Sequence, residues 1–213
     1  LVEPIQGEGG INNADTNYLK QLRSIADEAG ILLFMDEVQT GIGRTGKLFA
    51  HEWAKIQPDV MAIAKGLGGG FPVGACLANE KTTEPMTPGT HGSTFGGNPM
   101  ASAAANAVLD IILDDGFLDS VHQKGLYLNN QLAVIAAKHK FLGEIRGQGL
   151  LVGVVCDDSV VNLDIVKAAE DKGLLTIPAG NNVIRIIPPL IITEGEIDEG
   201  LTLFDQTCNN FSC

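Results

Sequence analysis

The chain has 213 residues, with 14 Lys and Arg against 26 Asp and Glu, a formal charge of −12 and 45% hydrophobic content. That balance argues against a nucleic-acid binder, which needs a basic face to displace counterions, and against docking on an anionic membrane. It also excludes a disordered chain, and no stretch approaches the roughly 20 apolar residues of a spanning helix. Cys76, Cys156, Cys208 and Cys213 are scattered without metal-type pairing. This predicts reduced thiols, a cytoplasmic location and no metal site. The chain opens at Leu1 without a signal peptide, and the expectation is an excerpt of a longer protein.

In chain order, residues 15–29 carry Leu19, Leu22, Ile25 or Ala26, and Ala29 at helical spacing before Gly30, which predicts a helix stopped by a glycine. Apolar runs at 31–35, 60–64 and 73–78 read as short buried strands, the first ending in Asp36-Glu37 and the second in Lys65-Gly66. Such runs, alternating with helices, predict a parallel sheet covered on both faces. Ligands of such sheets sit beyond the carboxyl ends of the strands, where the charged residues stand. Asn98-Pro99 opens a helix with a stripe of Met100, Ala103, Ala104, Ala107, Val108, Ile111 and Ile112. A second helix follows with Leu118, Val121, Leu128, Leu132, Ile135 and Ala136 on one face. Residues 145–156 read as strand around three glycines, 163–172 as a short amphipathic helix, and 174–177 and 183–187 as strands. Thr193-Glu194-Gly195-Glu196 is a capping box for a last helix through Ile197, Leu201 and Phe204. The C-terminal half therefore reads as a separate α/β layer.

Three groups of residues could carry chemistry. Lys65 directly follows an apolar strand, where partial burial would disfavour its ammonium form and make a usable amine for Schiff-base chemistry. Gly66, Gly68, Gly69 and Gly70 beside it permit close backbone approach. Asp36 ends the neighbouring apolar run and could keep a pyridine nitrogen protonated, with Gln39 in reach of a ring substituent. A lysine and an acid in these roles are the general pattern of pyridoxal-phosphate sites. The stretch His91-Gly92-Ser93-Thr94-Phe95-Gly96-Gly97-Asn98-Pro99 sets glycines and hydroxyls before a helix N-terminus, a cradle for phosphate or carboxylate. Glu3 and Glu8 bracket a glycine-rich turn, and Arg185 interrupts an apolar strand. A buried arginine needs an anion, supplied either by a structural carboxylate or by a substrate held in bidentate fashion.

Residues 2–10, 34–46, 64–74, 91–99, 147–154 and 184–190 together resemble the class III pyridoxal-phosphate aminotransferases. They follow the family's order and span nearly the whole chain, corresponding to roughly the second half of a family member. Glu-Pro-Ile-Gln-Gly-Glu, Asp-Glu-Val-Gln-Thr-Gly-Ile-Gly-Arg-Thr-Gly and His-Gly-Ser-Thr-Phe-Gly-Gly-Asn-Pro are most similar to the branch acting on acetylornithine and ornithine. The 107–112 helix and the 149–153 run tilt toward bacterial enzymes for acetylornithine.

The resemblance implies an α/β fold of pyridoxal-phosphate fold type I, part of a doubly wound, mainly parallel sheet plus a smaller C-terminal α/β domain. Residues 1–112 would belong to the large cofactor domain and 113–213 to the small one. Lys65 would carry the cofactor, pyridoxal 5′-phosphate, and move a proton between the substrate Cα and C4′. Asp36 would pair with the pyridinium nitrogen, Gln39 with the phenolic oxygen, and Val38 with a ring face, and Glu37 would join the cofactor contacts. Thr94 would bind the phosphate of a neighbouring subunit's cofactor, with Ser93 near that subunit's substrate, so a homodimer is implied. Arg185 would grip the α-carboxylate of glutamate or 2-oxoglutarate, and Glu8 would mask it in the other half-reaction. The implied reaction is amino transfer from N2-acetylornithine to 2-oxoglutarate. Its alternatives are ornithine or another ω-amine as donor, or a truncated, non-catalytic fragment that only dimerises.

Overall fold

The computed structural model describes residues 1–211, so Cys213 and the end of the expected small domain lie outside the described residues. Two compact units are present. The first contains Leu1–Pro4, Ala14–Gly43 and Lys47–Leu118; the second contains Ile5–Asn13, Arg44–Gly46 and the chain from Asp119 onward.

A small antiparallel hairpin, β1 (Ile5–Gln6) and β2 (Asn12–Asn13), comes first. Helix α1 (Thr16–Ala29) follows as its signals dictate. The Asp15 carboxylate accepts from the N–H groups of Asn17 (2.7 Å) and Tyr18 (3.2 Å), and Gly30 closes the helix at φ 65°. Both ends are thus supplied with partners for otherwise orphaned backbone groups.

Strands β3 (Phe34–Asp36), β4 (Val60–Ile63) and β5 (Ala75–Ala78) form the sheet of the first unit in that order. β3 and β4 are parallel, with Asp36 level with Ala62, whereas β4 and β5 are antiparallel. This sheet is therefore mixed rather than parallel throughout. The connection over residues 64–74 is too short for the crossover that a parallel return requires. Coverage also differs from expectation, because β5 is exposed along its whole length. The 31–35 run is strand only from Phe34, and Ile31 and Leu32 are exposed.

After the short α2 (Glu80–Thr83), Asn98 caps α3 (Pro99–Ile112), accepting from the Ala101 N–H at 2.9 Å. The buried positions on α3 are Ala101 and Ile112, while Met100 is 70% and Ile111 54% exposed. The covered face is rotated from the predicted stripe. Only the narrow stripe of Ser102, Asn106 and Asp110 is polar, and alanine and aliphatic residues fill the rest of the circumference, so periodicity sets the inner face only broadly.

The second unit is built on α4 (Phe117–Ala136), β6 (Leu142–Gln148), β7 (Leu151–Cys156), α5 (Asn162–Glu170), β8 (Ile177–Ala179), β9 (Val183–Ile186) and α6 (Glu194–Cys208). Its sheet has the order β6-β7-β9-β8, antiparallel at every pairing. The predicted strand across 145–156 is a hairpin, turned at Gly149 (φ 57°). Of the buried residues of α4 (Val121, Gly125, Leu128, Leu132, Ile135), all but Gly125 belong to the predicted stripe. Thr193 and Glu196 form the expected capping box of α6, which buries Ile197, Leu201 and Phe204. Each such apolar side chain contributes about 1.5–3 kcal/mol on burial. No helix among the described residues is long and apolar enough to cross a membrane.

Candidate functional site

In the first unit, the register of β3 and β4 decides the arrangement. Asp36 is the last residue of β3 and is level with Ala62, so Lys65 begins the turn just past the same end of the adjacent strand. The Asp36 carboxylate accepts from the Val38 N–H at 3.0 Å, and its backbone N–H donates to the Val2 carbonyl at 2.9 Å. An acid and an amine therefore stand together at the carboxyl ends of parallel neighbours, the usual ligand position of such sheets. Val38 and Gln39 are half-buried on the loop that follows.

Lys65 opens a 3-10 turn (Lys65–Gly68) with a left-handed backbone, φ 48°. Strained conformations of this kind concentrate at functional sites. The residue is exposed, against the expectation of partial burial. The glycines flanking it have no side chains to cover it. Helix α3 packs on this turn. A Cβ on Gly69 would stand 2.8 Å from Val108 Cγ2, and the backbone there is already left-handed at φ 57°. Ser93 and Thr94 lie in the exposed turn ahead of α3, where the Ser93 carbonyl accepts from Gly96 N–H at 3.3 Å.

Glu37 lies differently from its neighbours on the loop. Its side chain is completely buried. The carboxylate accepts from the Thr40 hydroxyl, from the N–H of Ala50 (3.0 Å) and from the N–H of His51 (2.8 Å), with His51 Nδ1 at 3.1 Å. A carboxylate this fully engaged by protein donors anchors the loop from Glu37 to His51. Thr40 and His51 were not signalled by the sequence, because their partner was assigned outward.

In the second unit, Arg185 lies on β9 with its side chain only 9% exposed, and Nη1 stands 3.3 Å from Glu8 Oε2. Glu8 is 78% exposed. The carboxylate that faces the buried guanidinium is thus itself largely exposed. Arg44 also belongs to this unit, and it donates through Nη1 to the carbonyls of Leu150 (3.1 Å) and Pro188 (2.5 Å). Burial lowers its pKa to about 10. No group of three or more His, Cys, Asp or Glu that could hold a metal ion occurs among the described residues.

The donor set suits pyridoxal phosphate. A primary amine for covalent attachment and a carboxylate for a protonated ring nitrogen share one sheet end.

Solved aminotransferases have the same fold. The ornithine aminotransferase of Plasmodium yoelii aligns over 99% of this chain and 58% of its own, with 35% identity and a TM-score of 0.93. The acetylornithine aminotransferase of Elizabethkingia anophelis aligns over 98% of this chain and 56% of its own, with 37% identity and a TM-score of 0.91. The fold is therefore that of the pyridoxal-phosphate-dependent enzymes of fold type I.

The chain belongs to the family described as Aminotransferase class-III, which matches residues 1–208. Enzymes of this family depend on pyridoxal 5′-phosphate. The acetylornithine aminotransferase of Mesorhizobium japonicum is 55% identical over 94% of this chain and 50% of its own length. That of Bacillus subtilis is 46% identical over 100% of this chain and 54% of its own. The chain thus spans about half the length of the curated relatives it matches.

Proposed function

We propose that this chain is part of an enzyme that transfers the amino group of N2-acetylornithine to 2-oxoglutarate, giving N-acetylglutamate 5-semialdehyde and glutamate for arginine biosynthesis. The observation that carries the reading is the pairing of Asp36 and Lys65 at adjacent strand ends. Identity near 50% to acetylornithine aminotransferases supports the choice of substrate.

Bound pyridoxal phosphate supplies an electron sink for the substrate Cα and a carrier for the amino group. Asp36 keeps the ring nitrogen protonated, and the bond from Val38 N–H holds its carboxylate in place. Val38 would pack on a ring face of the cofactor, and Gln39 would hydrogen-bond its phenolic oxygen. Lys65 would hold the cofactor and then carry the proton taken from the substrate Cα. Arg185 grips the α-carboxylate of glutamate or 2-oxoglutarate in a fork. Glu8 covers Arg185 when the amine donor is bound, and moves aside for the dicarboxylate. Its exposure beside a buried partner supports this movement. Thr94 binds the phosphate at a neighbouring subunit and Ser93 lies near that subunit's substrate, so the enzyme works as a homodimer. Their exposure on the turn before α3 supports this role. The first unit would belong to the cofactor domain, and the second, which takes in Ile5–Asn13 and Arg44–Gly46, to the small domain, in the cytoplasm.

The test is a half-reaction assay on the holoenzyme with acetylornithine, ornithine and 4-aminobutyrate. Acetylornithine is expected to give the highest kcat/KM. A higher value for ornithine would reassign the donor, and no reaction with any of the three would overturn the reading.

A further inference from the structure

The loop that carries Glu8 is held more firmly than its glycines suggest. Ile11, at its far end, is fully buried and has a left-handed backbone, φ 52°. A β-branched residue is a rare occupant of that conformation and persists only where its surroundings impose it. Here they do, because Ile11 packs in a core cluster with Ile5, Leu151, Ala179 and Val183. Gly153 on β7 makes room for it, since a Cβ there would stand 2.8 Å from Ile11 Cβ.

The turn between β8 and β9 grips the same loop from the other side. Gly180 N–H donates to the Glu8 carbonyl at 2.8 Å, and Asn181 Nδ2 donates to the Gly9 carbonyl at 2.9 Å. Gly10, at φ 105°, comes so close that a Cβ would lie 2.7 Å from the Gly180 carbonyl oxygen. Asn181 and Asn182 are both left-handed, φ 56° each, which suits asparagine in a tight hairpin. Asn182 is committed elsewhere, donating to the carbonyls of Asp157 (2.8 Å) and Val160 (2.9 Å). The strand leaving this turn carries Arg185. One hairpin therefore holds the guanidinium and also fixes the backbone from which Glu8 reaches it.

We propose that Asn181 is a positioning residue for the Glu8–Arg185 pair, setting the carboxylate against the guanidinium and thereby the balance between amine and dicarboxylate substrates. The inference rests on the reading of Arg185 as the carboxylate-binding arginine. With the Glu8 and Gly9 carbonyls tied down, exchange between the two substrates requires only rotation of the Glu8 side chain. The loop itself stays in place.

The test uses Asn181→Gly and Asn181→Asp in the holoenzyme. Glycine accepts the left-handed backbone and removes only the side chain, while aspartate keeps the shape and removes the donor. Glutarate, a dicarboxylate that cannot react, is titrated by calorimetry, and both half-reactions are followed. A single lost hydrogen bond predicts glutarate binding about threefold to fivefold tighter in both variants. KM for the amine donor is expected to rise by a similar factor, with kcat unchanged. In a Glu8→Ala background, Asn181→Gly is expected to have no further effect on glutarate, because it acts through Glu8. Equal losses in both half-reactions, or an undiminished effect in that background, would overturn the proposal. If Glu8→Ala alone leaves glutarate binding unchanged, the carboxylate-exchange reading itself fails, and this proposal with it.

Discussion

Arg185 reaches Glu8 at 3.3 Å across a separation of 177 residues in the chain, with one partner buried and the other in water. This asymmetry sets the expected consequence of removing the glutamate. The exposed carboxylate itself contributes within about 1 kcal/mol, but the guanidinium it leaves behind is buried, so Glu8→Ala should lower stability by about 1 kcal/mol, a small shift of the unfolding midpoint. Its effect should appear in selectivity. The ratio of kcat/KM for glutamate to that for the amine donor is expected to rise about tenfold, and stopped-flow measurement of each half-reaction checks it.

Lys65→Ala removes the amine at the end of β4. The visible absorption band of covalently held cofactor should vanish, and turnover should fall at least about a thousandfold, as for loss of a positioned proton carrier. Asp36→Asn should keep the covalent attachment, detectable by mass after borohydride reduction. Its turnover should fall by about a hundredfold or more, because the amide cannot hold the ring nitrogen protonated.

Gly149 and Gly173 make a matched pair for stability. A Cβ on Gly149 would stand 2.5 Å from the Thr45 carbonyl carbon, on a backbone already at φ 57°. A Cβ on Gly173 meets nothing within 4 Å at φ 85°. Gly149→Ala should therefore lose about 3 kcal/mol or more, and Gly173→Ala only about 1 kcal/mol. Urea unfolding of the two variants tests the difference.

Asp205 offers a pH dependence. Hydrogen bonds from Lys138 (2.8 Å) and His139 (2.7 Å) hold its carboxyl below the ordinary value of 3.8. A carboxyl whose folded pKa is depressed contributes stability that is present above the unfolded value and lost as pH falls through the folded one. The wild-type protein should thus exceed Asp205→Asn by about 1 kcal/mol at neutral pH, the two converging as the pH falls through the depressed value of the folded carboxyl. Denaturant titrations at several pH values give the result.

Local signals in the sequence were strong wherever one residue type has one physical reason to be present. Asn98 and Thr193 as caps, and Gly30 as a stop, were legible for that reason. The placement of Asp36 and Lys65 at the same end of neighbouring strands was legible because each follows an apolar run. Glu37 shows where such reading stops. Its neighbour points to the sheet end, and only the donors of Thr40, Ala50 and His51 reveal that Glu37 turns inward. Ile11 gave no signal at all, since nothing in an isoleucine announces a left-handed backbone that distant packing enforces. The Gly180-Asn181-Asn182 turn was recoverable from its residue types. Its grip on the Glu8 loop, formed between residues far apart in the chain, was not.

Arg44 spends its bonds on two main-chain carbonyls, those of Leu150 and Pro188, and, among the described residues, on no carboxylate. Acid therefore has nothing to titrate in this clasp. The guanidinium is fully charged below its lowered pKa of about 10, and amide oxygens keep their lone pairs in any acid the protein survives. As the pH falls, the Lys138–His139–Asp205 cluster loosens while the strap around the β6–β7 turn stays fastened. Acid unfolding of the second unit should accordingly begin at the C-terminal helix and reach the hairpin last.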